Sequence, residues 1–202
     1  MPPRSWLFVP GDSERKLAKA EAAGADALIL DLEDSVAAAR RPVARGMVRA
    51  YLDARPPGSR ASALWVRINP LDGPDALADL AAVAGGAPDG IMLPKIDGPA
   101  EVRRLSHGLD TLEARDGVAP GAIGIVAVAT ETAAAPFGLG GFATAGLARL
   151  AGLTWGAEDL SAALGASTNQ DPAGGWALTY RIVRSLTLLA ANAARVQRLD
   201  RL

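Results

Sequence analysis

AGADALILD, residues 23–31, leaves a helix through Gly24, runs through Ala-Leu-Ile-Leu and ends on Asp31. The same order returns in GAPDGIMLPK, residues 86–95, where Gly-Ala-Pro-Asp leads into Gly-Ile-Met-Leu and ends near Lys95. Two copies of one helix-exit-to-strand unit mark a repeated βα module. Both strands are apolar throughout rather than at alternate positions, which suits a parallel sheet covered on both faces.

Working outward, the apolar runs predict strands over residues 6–9, 27–30, 64–68, 90–93, 123–129 and 150–154. Ala-rich stretches between them predict helices over 13–23, 42–54, 74–84, 100–115 and 132–146, a short one after Gly156, and a long one over 176–196. No Gly/Ser linker or charge run divides the chain, so residues 1–202 are expected to form a single domain. Each predicted strand ends on polar groups. Pro10-Gly11-Asp12 follow the first, then Asp31 with Glu33 and Asp34, Arg67 with Asn69, Lys95, Glu131, and Glu158 with Asp159. In a barrel these exits ring one mouth, whereas an open sheet concentrates function at one switch point. No GxGxxG follows the first strand. The expected fold is therefore α/β, a TIM-type (β/α)8 barrel truncated after about six βα units.

Composition excludes several function classes. With 50% hydrophobic and 21% charged residues, the chain has the makings of a core rather than of a disordered segment. A net charge of -1 and the lack of a basic stripe with interleaved aromatics argue against nucleic acid. There are no cysteines, which removes disulfides, zinc-thiolate sites and thiol nucleophiles. No run has transmembrane length and no secretory leader opens the chain, so a cytoplasmic protein without a membrane partner is expected. His107, the single histidine, falls inside a predicted helix away from every strand exit and reads as a surface residue.

Two carboxylates carry the chemistry. Glu131 closes GIVAVATE (124–131) and Asp159 closes LAGLTWGAED (150–159), each just past a strand. Neighbouring parallel strands would bring them out of one edge about 5 Å apart. That arrangement suits one hard cation held by two oxygens, with water and substrate at its other positions. Singly, each carboxylate also suits the positive N-terminal end of the helix that follows it. Arg67 reads either as a bidentate fork for a substrate carboxylate or as a salt bridge to the acidic cluster of Asp31, Glu33 and Asp34. Lys95 reads as an organiser of that cluster rather than a Schiff-base lysine, because nearby carboxylates favour its charged form. The amides of Gly156 and Ala157 stand ready for a substrate carboxylate, or Gly156 serves a tight turn. Arg15, Lys16 and Lys19 on the first helix either meet the phosphates of a long cofactor or form a solvated face.

Six segments together resemble the citrate lyase beta subunit and its relatives in the HpcH/HpaI aldolase superfamily: RSWLFVPGDSERKLAKA (4–20), GADALILDLEDSV (24–36), LWVRIN (64–69), DGIMLPKID (89–97), ATETAAA (129–135) and WGAEDLSAALG (155–165). The resemblance implies that Arg67 and Glu131 bind a keto-acid substrate and that Glu131 and Asp159 ligate Mg2+. It implies a carbon–carbon lyase acting on a citryl- or malyl-type acyl thioester, carried by CoA or an acyl-carrier protein. The product would be an oxaloacetate- or glyoxylate-like 2-oxo acid. Apart from the resemblance, the first helix offers Arg15 and Lys19 as contacts for a phosphate-bearing carrier. A homo-oligomer, trimer or hexamer, is expected. Relatives continue with a seventh strand, an eighth strand bearing an Ile-His-Pro-like motif and often a lid, whereas this sequence stops at VQRLDRL (196–202). Lyase, thioesterase and non-catalytic binding relative therefore all stay open.

Overall fold

The computed structural model describes residues 2–200. By its internal contacts the chain divides into two compact units, Met1–Met92 with Leu105–Gly124, and Leu93–Arg104 with Ile125–Leu202.

In the first unit β1 (Trp6–Pro10), β2 (Ala27–Asp31), β3 (Ala63–Arg67) and β4 (Gly90–Leu93) pair in parallel, each with its chain neighbour. Every residue of β2 and β4 is buried, as their unbroken apolar runs require. Helices α1 (Glu14–Lys19), α2 (Arg41–Asp53) and α3 (Ala76–Val83) join the strands. Pro42 sits in the first turn of α2, where its missing N–H costs nothing, and Ala44, Val48, Tyr51 and Leu52 form the buried stripe. Helix α4 (Pro99–Asp116) follows β4.

In the second unit β5 (Gly124–Val128), β6 (Leu150–Thr154) and β7 (Gln197–Arg198) are again parallel neighbours. Helices α5 (Ala135–Gly138), α6 (Ala157–Ala163) and α7 (Leu178–Ala193) complete it. Trp155, Ala157, Leu160, Tyr180 and Val183 form one buried cluster, with Trp176 packed edge-on to Trp155 at 5.2 Å between ring centroids. The fold class is α/β of the TIM type, βα after βα, with seven strands among the described residues.

Three expectations need correction. The helix predicted over 132–146 is a single turn, α5, followed by a 3-10 segment over Leu139–Ala143. Gly138, Gly140 and Gly141 dilute helix propensity there beyond what the alanines supply. The long helix is shorter than 176–196, because Arg195, with φ 59, turns the chain into β7. That seventh strand was not expected. It has two residues, Gln and Arg, and so no apolar run to announce it. β7 pairs with the outer side of β6.

Candidate functional site

Parallel register explains the charge cluster of the first unit. Asp31 and Arg67 are direct partners at the ends of β2 and β3. Arg67 donates from Nε to Oδ1 and from Nη2 to Oδ2 of Asp31, both at 2.7 Å, a bidentate fork. Its Nη1 lies 3.2 Å from Glu33 Oε2 and 3.2 Å from Asp34 Oδ2. The guanidinium carbon is 4.7 Å from the centre of the Phe8 ring. Asp31 also accepts the backbone N–H groups of Glu33 and Ser35. Burial pushes the Asp31 carboxyl up, but the fork from Arg67 outweighs it and holds the group below its ordinary value. Burial likewise opposes the charge on Arg67, while Asp31, Glu33 and Asp34 hold that charge more firmly than usual.

A second network supports the exit of β3. Asp79, fully buried on α3, accepts from the backbone N–H and the Nδ2 of Asn69 and from Arg45 Nε. Arg45 also binds Asp75. Sequence reasoning missed this clamp, yet a signal was present: Asp79 stands among Ala76, Leu80 and Val83 on the buried stripe of α3. A charge at a core position asks for a partner.

The exits of β5 and β6 build the second group. Val128 is the register partner of Thr154, so the chain leaves both strands at the same level. Glu131, three residues past Val128, is buried, and its Oε2 accepts the backbone N–H of Lys95 at 2.7 Å. Asp159, in the first turn of α6, lies with its Oδ1 3.2 Å from Lys95 Nζ. Lys95 thus links the two carboxylates, one through its main chain and one through its side chain. It does so with φ 51, the left-handed region that residues with a side chain seldom adopt. Gly156 donates its N–H to Thr130 Oγ1 at 3.2 Å. The buried Thr130 therefore ties the two exits together, a role the sequence reading did not assign.

The other predicted residues fall as follows. Ala157 is buried at the start of α6, and Glu158 beside it is exposed. Arg15, Lys16 and Lys19 are exposed on α1, on the side away from buried Leu17. His107 is exposed on α4.

The donors at the β5 and β6 exits fit a hard divalent cation better than a soft one, being carboxylate oxygens only. Among the described residues no group of three or more His, Cys, Asp or Glu comes together as a ligand set. A cation on Glu131 and Asp159 would complete its shell with water or substrate, as magnesium does in preference to an all-protein cage. The ammonium of Lys95 against Asp159 shows that this place already accepts positive charge.

The model of the HpcH/HpaI aldolase/citrate lyase family matches residues 4–202. The citrate lyase subunit beta-like protein of Mycobacterium tuberculosis (strain CDC 1551 / Oshkosh) is 40% identical over 191 residues, covering 93% of this chain and 60% of that protein. The (3S)-malyl-CoA thioesterase of Cereibacter sphaeroides (strain ATCC 17023) is 34% identical over 194 residues, covering 95% of this chain and 60% of that protein. The chain thus spans about three fifths of the length of these relatives. Among solved structures, the citrate lyase beta subunit of M. tuberculosis complexed with oxaloacetate and magnesium superposes with a TM-score of 0.76 at 38% identity, covering 96% of this chain and 76% of that one.

Proposed function

The chain belongs to the HpcH/HpaI aldolase/citrate lyase family, and on that premise we propose that Glu131 and Asp159 hold Mg2+ for chemistry on a carbon–carbon bond between an acyl thioester and a 2-oxo acid. The observation that carries this reading is the convergence of both carboxylates on Lys95 at level exits of β5 and β6. The similar M. tuberculosis structure, which holds oxaloacetate and magnesium, supports the choice of cation and of an oxaloacetate-like acid. When bound, magnesium supplies a Lewis acid that polarises a carbonyl oxygen and offsets developing negative charge. The protein's part is placement. The Lys95 amide fixes the Glu131 carboxylate, Gly156 leaves it room, and the first turn of α6 presents Asp159.

Arg67 is proposed to bind a substrate carboxylate. Asp31 holds its Nε and one Nη in a fixed plane, which pre-orients the guanidinium. Asp34, half-exposed on Nη1, is the partner an incoming carboxylate would replace. The amides of Gly156 and Ala157 are proposed for the substrate as well, and Arg15 and Lys19, exposed on α1, for the CoA or acyl-carrier portion of the thioester.

A second reading has its own support, because the C. sphaeroides relative is named a thioesterase. Both readings need the cation, so the first test is calorimetric. Magnesium titrated into the wild-type chain is expected to bind saturably, and Glu131→Gln or Asp159→Asn to weaken it at least about tenfold. Equal affinity in all three proteins would remove the proposal.

A further inference from the structure

Lys95 occupies a position that glycine would fill without strain, since its φ is 51. The backbone contribution to Glu131 comes from the N–H, which any residue but proline supplies. A lysine there therefore needs a reason in its side chain, and the ammonium 3.2 Å from Asp159 Oδ1 gives one. Carboxylates leaving neighbouring strands repel one another, and a positive charge against one of them, as the ammonium stands against Asp159, relieves that. Lysine is also the cation suited to leaving. It is a point charge on a flexible stem, without the fork that locks arginine to a carboxylate. The side chains of Lys95 and Asp159 are 28% and 29% exposed, so water competes for both.

We propose that Lys95 is the built-in counter-ion of the carboxylate pair: its ammonium neutralises Asp159 until a divalent cation enters, is then displaced, and so sets the cation affinity of the site. The inference rests on the reading of Glu131 and Asp159 as the magnesium-holding residues. Lys95 acts here through those two carboxylates and is a positioning and charge-balancing residue.

The test is magnesium calorimetry on the full chain with four proteins besides wild type. Lys95→Gly keeps the N–H to Glu131, suits the backbone and removes the charge. Lys95→Asn does the same with a side chain that tolerates this φ. Lys95→Arg keeps the charge, and Asp159→Asn removes the carboxylate. K95G and K95N are expected to bind magnesium about three- to tenfold tighter than wild type, because no ammonium competes or repels. K95R, whose fork leaves a carboxylate less readily, is expected to bind magnesium as weakly as wild type or more weakly. A merely structural lysine would leave affinity unchanged or lower it when removed. Unchanged or weaker binding in K95G and K95N, with binding lost in D159N, would overturn the counter-ion role and leave the magnesium site standing. K95R tightening as much as K95G would overturn it too. Absence of saturable binding in both wild type and K95G would instead overturn the magnesium reading and this inference with it.

Discussion

A side-chain carbon at position 156 would stand 2.7 Å from Cγ of Glu131 and 3.0 Å from its Oε1. Gly156 has φ -129 and ψ 119, an ordinary extended backbone, so its small size rather than its flexibility is what the site uses. The contact is with the stem of a buried glutamate whose carboxylate is fixed by the Lys95 amide, and such a stem cannot swing aside cheaply. Gly156→Ala is therefore expected to lose about 1–3 kcal/mol of stability from overpacking. Magnesium affinity should fall about tenfold as Glu131 is pushed from its place. Denaturant melts and calorimetry on the same sample check both. A G156A protein matching wild type in both would show that Glu131 does not need this space.

The Asp31–Arg67 fork makes a prediction about acid. The Asp31 carboxyl is held below its ordinary value of 3.8, so the unfolded chain binds the proton more readily than the folded one. The stabilisation is complete above the unfolded value and is lost as pH falls through the folded one. Denaturant stability measured from pH 6 downward should thus decline below about pH 4 more steeply in wild type than in Asp31→Asn. Parallel curves for the two proteins would refute the linkage.

Arg67→Lys tests the substrate role of the same residue. Lysine retains the charge but cannot fork Asp31 through two donors and still hold a third, the place of Nη1, in the same plane for the substrate. Oxaloacetate affinity, measured with magnesium present, is expected to weaken by about 2 kcal/mol or more if the contact is desolvated. Unaltered affinity in R67K would count against Arg67 as a carboxylate receptor.

Much of this was legible because strands and exits leave strong marks. ALIL and GIML are buried end to end, and Asp31, Arg67 and Glu131 lie at or just past their strands' ends as the pattern implies. Partner choice was less legible. Arg67 reads equally well as a substrate fork or a salt bridge until register sets it opposite Asp31. Lys95 reads as an organiser of the Asp31, Glu33 and Asp34 cluster, whereas the structure sets it on Glu131 and Asp159, and its positive φ leaves no mark because only glycine and asparagine advertise that conformation in a sequence. The two-residue β7 and the one-turn α5 carried too few residues for any period to show.

Lyase and thioesterase readings part at the product. Cleavage of the carbon–carbon bond of malyl-CoA yields glyoxylate and leaves the thioester intact in acetyl-CoA, whereas hydrolysis yields malate and a free thiol. With magnesium present, we expect a carbonyl reagent to trap the 2-oxo acid while a thiol reagent detects no free thiol. Free thiol appearing with malate would establish the thioesterase outcome instead. Either activity should vanish in Glu131→Gln.

The outer side of α7 bears on association. Leu178, Ile182, Leu186 and Leu189 recur at helical spacing and are 63%, 48%, 39% and 62% exposed, opposite the buried face of Tyr180, Val183, Thr187 and Ala190. An apolar stripe of this kind is costly to leave in water, at about 25 cal/mol per Å² of apolar surface. We expect a second copy of the chain to cover it, so that residues 1–202 elute from size-exclusion chromatography larger than a monomer. The double change Ile182→Lys and Leu189→Lys leaves the buried face untouched and keeps good helix formers. It should shift elution toward the monomer with unchanged helical circular dichroism. Wild type eluting as a monomer, or a double variant that associates as before, would show that this stripe makes no such contact.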